Sequence, residues 1–267
     1  MGRLVFVGLG LHDEGGLSLR GLEVARAADA VFMELYTSPM PGLDLKRLER
    51  LLGRRVRLVS RRVLEDGGGE PILEEAERGV AVLLVPGDPF IATTHVDLRI
   101  RAEKRGIKTG VIHGASIMSA AIGISGLQNY RFGRTVTIPY PEGGVLSETP
   151  LRVIRENRSR DLHTLCLLDV KAEEGRYMSV GEALRILLRV EESVGFGAVT
   201  PETLAVGVAR AGSQAPVVRA DSVKNLLRYD FGEPPHTLIF PASLHFVEAD
   251  ALITIAGAPE WVRRWLK

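Results

Sequence analysis

Short unbroken apolar blocks alternate along the chain with longer stretches whose apolar positions recur every third or fourth residue. The clearest block, Val80 to Val85, reads VAVLLV. It is too short for a helix and too continuous for a half-exposed strand, which predicts a strand buried on both faces, as in a parallel sheet. It halts at Pro86-Gly87-Asp88-Pro89. Thr93 and Thr94 then offer helix caps, and Thr94-His95-Val96-Asp97 has the spacing of an acidic capping box. Asp88 is thereby fixed at the carboxyl end of a buried strand, beside a helix start. Open α/β sheets bind their ligands there.

The same reading extends through the first half. Leu4 to Val7 predicts a strand ending in Gly8-Leu9-Gly10-Leu11, and Ser18 caps a helix striped by Leu19, Leu22, Ala25 and Ala28. Val31 to Met33 is a strand with Glu34 at its end. Asp44 to Leu52 is a helix with Leu45, Leu48 and Leu51 inward, stopped by Gly53. Val56 to Val59 gives a strand and Pro71 to Arg78 a helix. After the opening strand come a helix closed by Gly106 and a strand from Thr109 to His113. Such alternation implies a parallel, doubly wound sheet.

Beyond it, His113-Gly114-Ala115-Ser116-Ile117 opens an Ala- and Ser-rich helix to Gly126. Strands are expected at Thr135 to Ile138, His163 to Leu168, Leu204 to Ala209 and Thr237 to Phe240. Helices are expected around Thr149 to Asn157, after a Ser179-Val180-Gly181-Glu182 capping box, at Asp221 to Leu227, within Val247 to Ala256, and at Trp261 to Leu266. The fold class is thus two α/β domains, 1–114 and 115–267, with a parallel sheet in the first and a mixed sheet in the second. The small-residue helix is a natural hinge.

Composition narrows the function. Lys+Arg at 34 against Asp+Glu at 33 argues against a general nucleic-acid binder. The arginines between Arg47 and Arg62 read as a solvated face or as a docking strip for an acidic macromolecule. No apolar segment approaches the ~18 residues of a membrane span. The run from Leu4 to Leu11 meets His12-Asp13-Glu14 with no small-residue cleavage site, so no signal peptide is expected. The lone Cys166 sits in an apolar run, fitting a core role in a cytoplasmic protein. The six histidines lack metal-ligand spacing, and no metal is expected.

Motifs for hydrolysis, nucleotide triphosphates and metalloproteolysis are missing. Gly8-x-Gly10 with a distant Glu34 suggests a dinucleotide fingerprint, but the third glycine position holds Asp13 and the helix starts too late. What remains is a set of small, apolar and acidic turns at strand ends. They suit a compact ligand with an apolar face, several hydroxyls and a positive charge. S-adenosylmethionine is one such ligand, and methyl transfer asks little of a protein beyond alignment.

Several segments carry a resemblance: Glu34-Leu35-Tyr36-Thr37-Ser38, Gly87-Asp88-Pro89 with Ala92-Thr93-Thr94-His95, Tyr130-Arg131-Phe132-Gly133, Asp169-Val170-Lys171-Ala172-Glu173, Ala209-Arg210-Ala211-Gly212-Ser213 and Pro234-Pro235-His236. Over nearly its full length the chain resembles the diphthine synthase family of the tetrapyrrole methylase superfamily, most loosely at Gly114 and after Ser119. The resemblance implies a homodimer of two-domain subunits with S-adenosylmethionine between the domains. It places cofactor contacts on Leu11, Asp88, Ile91, Ser116, Ile117, Leu168, Ala211 and His236, and leaves the product as S-adenosylhomocysteine. The implied reaction methylates the amino group of a 3-amino-3-carboxypropyl histidine on translation elongation factor two. No base is identifiable. Without the resemblance, Asp88 also suits an Asx-turn and Ser116 a helix N-cap, while Leu11, Ile91, Leu168 and Ala211 pass as core. The alternatives are a related methyltransferase acting on a tetrapyrrole or ribosomal RNA, and a non-catalytic module docking through Arg47 to Arg62.

Overall fold

A computed structural model describes residues 2–267. The chain divides into two compact units. One runs up to Ile117 and includes Ala172–Glu174; the other comprises Met118–Lys171 and Gly175–Lys267.

The first unit strings together β1 (Arg3–Gly8), α1 (Leu19–Ala27), β2 (Ala30–Glu34), α2 (Leu45–Leu52), β3 (Arg57–Val59), α3 (Glu70–Arg78), β4 (Val80–Val85), α4 (Val96–Lys104) and β5 (Lys108–Ile112). Its sheet runs in the order β3-β2-β4-β1-β5 with every pairing parallel. Successive residues of one strand serve opposite cores. Leu4 and Phe6 pack with Phe32, Leu83, Ile72 and Leu98, whereas Val5 and Val7 pack with Val31, Leu84, Leu48 and Ala25. Continuous apolar blocks are what this double burial demands.

Local signals explain most element ends. Ser18 Oγ accepts from Gly21 N at 3.1 Å, Asp44 caps α2, and Gly53 closes α2 at φ 68°. Three expectations fail on contact with packing. Leu19 is 79% exposed, because the buried face of α1 turns through Gly21 and Ala25. In α2 the inward pair is Leu48 and Leu52, and Leu51 points outward. The capping box before α4 does not form. Thr93 Oγ1 donates to Pro89 O at 2.5 Å and Thr94 Oγ1 to Glu65 at 3.0 Å, so both hydroxyls tie down the preceding loop.

From Ile117 the chain continues as α5 (Ile117–Ser125), β6 (Val136–Ile138), α6 (Thr149–Ser159), β7 (Thr164–Leu168), β8 (Val170–Lys171), β9 (Arg176–Tyr177), α7 (Val180–Val194), β10 (Leu204–Ala209), β11 (Val217–Ser222), α8 (Val223–Leu226), β12 (His236–Phe240) and α9 (Phe246–Thr254). The second unit's main sheet has the order β11-β10-β12-β7-β6. Only β6 and β7 run parallel in it, so it is mixed as expected. Ser179 and Glu182 form the expected reciprocal cap. Strand β11 was not legible because Arg219, Asp221 and Ser222 break its apolar pattern, and α8 begins only after it. The last segment, Glu260–Trp265, is a 3₁₀ helix.

A buried polar knot closes this unit. Glu248 is fully buried and receives Arg131 at 2.6 Å, His163 Nε2 at 3.0 Å, and the backbone N–H groups of Gln128 and His245. Ala242 N donates to His163 Nδ1 at 2.9 Å, so the proton of a neutral ring sits on Nε2, facing Glu248. Burial pushes the Glu248 pKa up, but the bonds from His163, Gln128 and His245 outweigh it and hold the value at about 2. A depressed carboxylate contributes stability above its unfolded value and loses it as pH falls toward the folded value. Unfolding free energy should therefore decline from near pH 4.5 down to pH 2. Glu248→Gln should flatten that decline and cost about 3 kcal/mol at neutral pH, read by urea titration followed by circular dichroism.

Candidate functional site

The carboxyl ends of β1, β4 and β5 meet almost without side chains. Gly10 and Gly87 exchange backbone hydrogen bonds, at 3.2 and 2.7 Å. A Cβ on Gly8 would lie 2.5 Å from both Gly114 N and Gly87 O, and one on Gly114 would collide with Gly87 O. Glycine at Gly8 and Gly114 is thus a packing requirement. The approach gathers Leu11, Asp88 and the His113–Ile117 segment at one end of the first sheet. Asp88 is buried; its Oδ1 accepts from Phe90 N at 3.1 Å, and its Oδ2 lies 2.7 Å from His113 Nδ1. The Asx-turn is therefore real, and it uses only one carboxylate oxygen. The His113 side chain on the other oxygen is largely exposed and can be displaced.

Backbone strain marks the same places. Non-glycine residues with positive φ are rare outside functional turns. Of the four such residues described, His12 (73°) follows Leu11, Ala92 (56°) follows Ile91 and Arg210 (51°) precedes Ala211, while Asp161 (60°) lies before β7 with no expected site residue beside it. Ile91 is exposed in the loop after β4. Ser116 and Ile117 are half-buried, with Ile117 opening α5.

In the second unit Leu168 ends β7, Ala211 lies just beyond β10, and His236 opens β12. Because β12 runs antiparallel to both neighbours, its start lies beside their ends. Ala209 pairs with His236, and Arg210 N donates to Pro235 O at 2.8 Å. Burial lowers the His236 pKa against the bonds from Glu233 and Gly232. Its ring is committed, accepting from Val180 N at 3.3 Å and reaching Glu233 O at 3.1 Å. The ring is thus spent within the fold, leaving the main chain of His236 as the part not held by a side-chain bond. The eight expected residues thus form two groups, Leu11, Asp88, Ile91, Ser116 and Ile117 in the first unit and Leu168, Ala211 and His236 in the second.

A further constellation was missed. Glu34, fully buried at the end of β2, accepts from Tyr36 N (2.9 Å), Thr37 N (3.1 Å), Thr37 Oγ1 (2.5 Å) and His95 Nε2 (3.2 Å). Nearby, Tyr36 is 5% exposed and its buried hydroxyl lies beside Thr94. Burial, with the Glu34 and Glu65 carboxylates, pushes the phenol pKa up, so it stays a donor. Tyr36 lines a cavity of about 350 Å³ together with Leu35, Leu58, Val59, Ser60, Arg61 and Glu173. The signal available in the sequence was an acid ending an apolar strand, weighed only as a ribose ligand.

Much of the Arg47 to Arg62 strip is engaged. Arg47 pairs with the buried Glu14 at 3.1 Å, Arg57 with Glu75 at 2.7 Å, and Arg54 donates to the carbonyls of Ala28 and Arg26. These bonds serve the fold, which weakens the docking-strip alternative. Among the described residues no group of three or more His, Cys, Asp or Glu could hold a metal ion, and no helix is long and apolar enough to cross a membrane.

Known proteins share this architecture. Residues 3–226 match the family model for tetrapyrrole (corrin/porphyrin) methylases. A diphthine synthase of Methanosarcina barkeri is 49% identical over 262 residues, covering 96% of this chain and 97% of that protein. One from Methanothermobacter thermautotrophicus is 47% identical, covering 97% of each chain. A crystal structure of diphthine synthase superposes with a TM-score of 0.89 at 41% identity, covering 99% of this chain and all of that one.

The glycine contact can be tested directly. Gly8→Ala should destabilise the protein by about 2 kcal/mol, since backbone on both sides cannot yield to the added methyl. A thermal midpoint unchanged from the wild type would show that the strand ends have slack.

Proposed function

The chain belongs to the tetrapyrrole methylase family, among its diphthine synthases, and from that premise we propose that it uses S-adenosylmethionine to methylate translation elongation factor two. The acceptor in this reading is the amino group of a 3-amino-3-carboxypropyl histidine, converted to diphthine. The chain is a methyltransferase of diphthamide biosynthesis; cofactor and acceptor are the finer reading.

The observation that carries the reading is the coincidence of strained backbone with bare strand ends: His12, Ala92 and Arg210 adopt positive φ beside Leu11, Ile91 and Ala211. Strain of this kind persists where a ligand needs the backbone held in place. The glycine junction leaves a cradle that no Cβ enters, and Asp88 keeps one oxygen for an exchangeable partner. Leu11, Asp88, Ile91, Ser116 and Ile117, with Leu168, Ala211 and His236, would hold S-adenosylmethionine. Bound there, it supplies an electrophilic methyl group and leaves as S-adenosylhomocysteine.

The protein's own contribution is alignment. Asp88 would accept a polar hydrogen of the cofactor through Oδ2, with Oδ1 fixed by Phe90 N. Apolar Leu168 and Ala211 would keep water from the reacting atoms, and His236, neutral and doubly bonded, would offer main chain without moving. The incoming amine must be unprotonated to attack, so a site with few hydrated charges near it favours reaction.

We also read the protein as a cytoplasmic homodimer. Support for the dimer comes from α5, an almost wholly apolar helix in which Ala121 and Ser125 are the buried residues.

Asp88→Ala should keep the fold and weaken S-adenosylmethionine binding at least tenfold, ~1.4 kcal/mol, by titration calorimetry. Unchanged affinity would remove Asp88 from the site. Labelled methyl should pass to elongation factor two bearing the aminocarboxypropyl group, and absence of transfer would refute the acceptor.

A further inference from the structure

The contact between Asp88 and His113 joins a buried group to an open one. The carboxylate is buried with Oδ1 pinned by Phe90 N, while the His113 side chain, 2.7 Å away on Oδ2, is 76% exposed. An ionised carboxylate only accepts, so the proton of that bond sits on Nδ1. The neutral ring then keeps its lone pair on Nε2. Among the described residues no hydrogen bond or ion pair takes up that nitrogen. The buried histidines differ. His95 turns Nε2 onto Glu34, His163 turns it onto Glu248, and both nitrogens of His236 are engaged. His113 also stands just beyond β5, against strand ends that carry no side chains at Gly8, Gly10, Gly87 and Gly114. Asp88 is the charged group that faces it.

A buried carboxylate that orients an accessible imidazole is the arrangement that readies a base for a nucleophile. Here the nucleophile is an amine, which arrives largely as ammonium and cannot attack until it loses a proton. We infer that His113 is the general base of the methyl transfer, held in its working tautomer by Asp88. Nε2 takes a proton from the ammonium of the acceptor. The nitrogen lone pair so released forms a bond to the methyl carbon as the carbon–sulfur bond breaks, and that electron pair stays on sulfur as a thioether. The imidazolium then passes its proton to water, which the exposure of the ring allows. Asp88 can serve the cofactor at the same time, because a carboxylate oxygen has two lone pairs. The inference rests on the acceptor proposed above.

His113→Asn is the informative variant, since its amide can still donate to Asp88 Oδ2 but offers no nitrogen that accepts a proton. Calorimetry with S-adenosylhomocysteine should give the wild-type affinity. Nitrogen NMR of the unliganded wild type should show His113 protonated on Nδ1, with the signal identified by its loss in the variant. Single-turnover methyl transfer to the modified elongation factor should fall about a hundredfold near pH 7 in His113→Asn. It should return to within about threefold of the wild type near pH 9.5, where the amine sheds its proton to solvent unaided. An unchanged rate near pH 7, a loss that alkali does not repair, or a ring protonated on Nε2 each overturns the inference alone. Weakened S-adenosylhomocysteine binding would show His113 acting on the cofactor through Asp88, and overturns it too. A wild type that transfers no methyl to the modified factor overturns the inference together with the acceptor.

Discussion

The first unit depends on one constraint, the meeting of three parallel strand ends at glycine backbone. Strands β1, β4 and β5 converge so closely that Gly8, Gly87 and Gly114 touch main chain to main chain. The first unit's share of the proposed site is arranged around this junction. The turns that leave the strands bend sharply, with Gly10 and Gly87 at positive φ, and His12 and Ala92 take up positive φ further along the same loops. Asp88, emerging from the tightest of those turns, has its orientation set by backbone before any ligand arrives. Preorganisation of this kind is what a reaction that needs alignment and little else calls for.

The second unit reaches a comparable end differently. Its sheet is largely antiparallel, so the residues that flank one edge are a strand end, a strand start and another strand end: Leu168, His236 and Ala211. The ring of His236 is spent on Val180 and Glu233, and the guanidinium of Arg210 on the carbonyls of Phe231 and Glu233. Side chains here act as scaffolding for exposed main chain.

How far the sequence reveals this depends on the range of the forces involved. Strands β1, β2 and β4 were legible because double burial writes itself as unbroken apolar blocks, and the caps of α1, α2 and α7 because each lies within a few residues of its partner. Most of the misread positions needed a distant neighbour, the Thr93 bond to Pro89 being the local exception. Leu19 and Leu51 fit a helical stripe but face away from the packing; the threonines before α4 fit a cap but bind Pro89 and Glu65. Of the proposed site, Asp88 and Ser116 carried local signals, a turn carboxylate and a helix cap, and most of the rest stood out only by lying at strand ends. Leu11, Ile91, Leu168 and Ala211 are ordinary apolar residues, tied to the cofactor through family likeness alone. The pairing of Glu34 with His95 spans 61 positions and leaves no local trace.

That pairing also solves a problem peculiar to strands buried on both sides. An alternating strand punishes a one-residue slip, because every side chain would change faces between core and solvent. A uniformly apolar strand such as β2 carries no such penalty, and its hydrophobic content reads nearly the same in either frame. Glu34 breaks the degeneracy. Its bonds to Tyr36 and Thr37 travel with the strand, but its carboxylate meets His95, 61 positions away, only in the observed frame. Shifted by one, it would be a charge in the core. A single acid thus widens the energy gap between the native pairing and its nearest competitors, a kind of error correction that apolar packing cannot supply on its own.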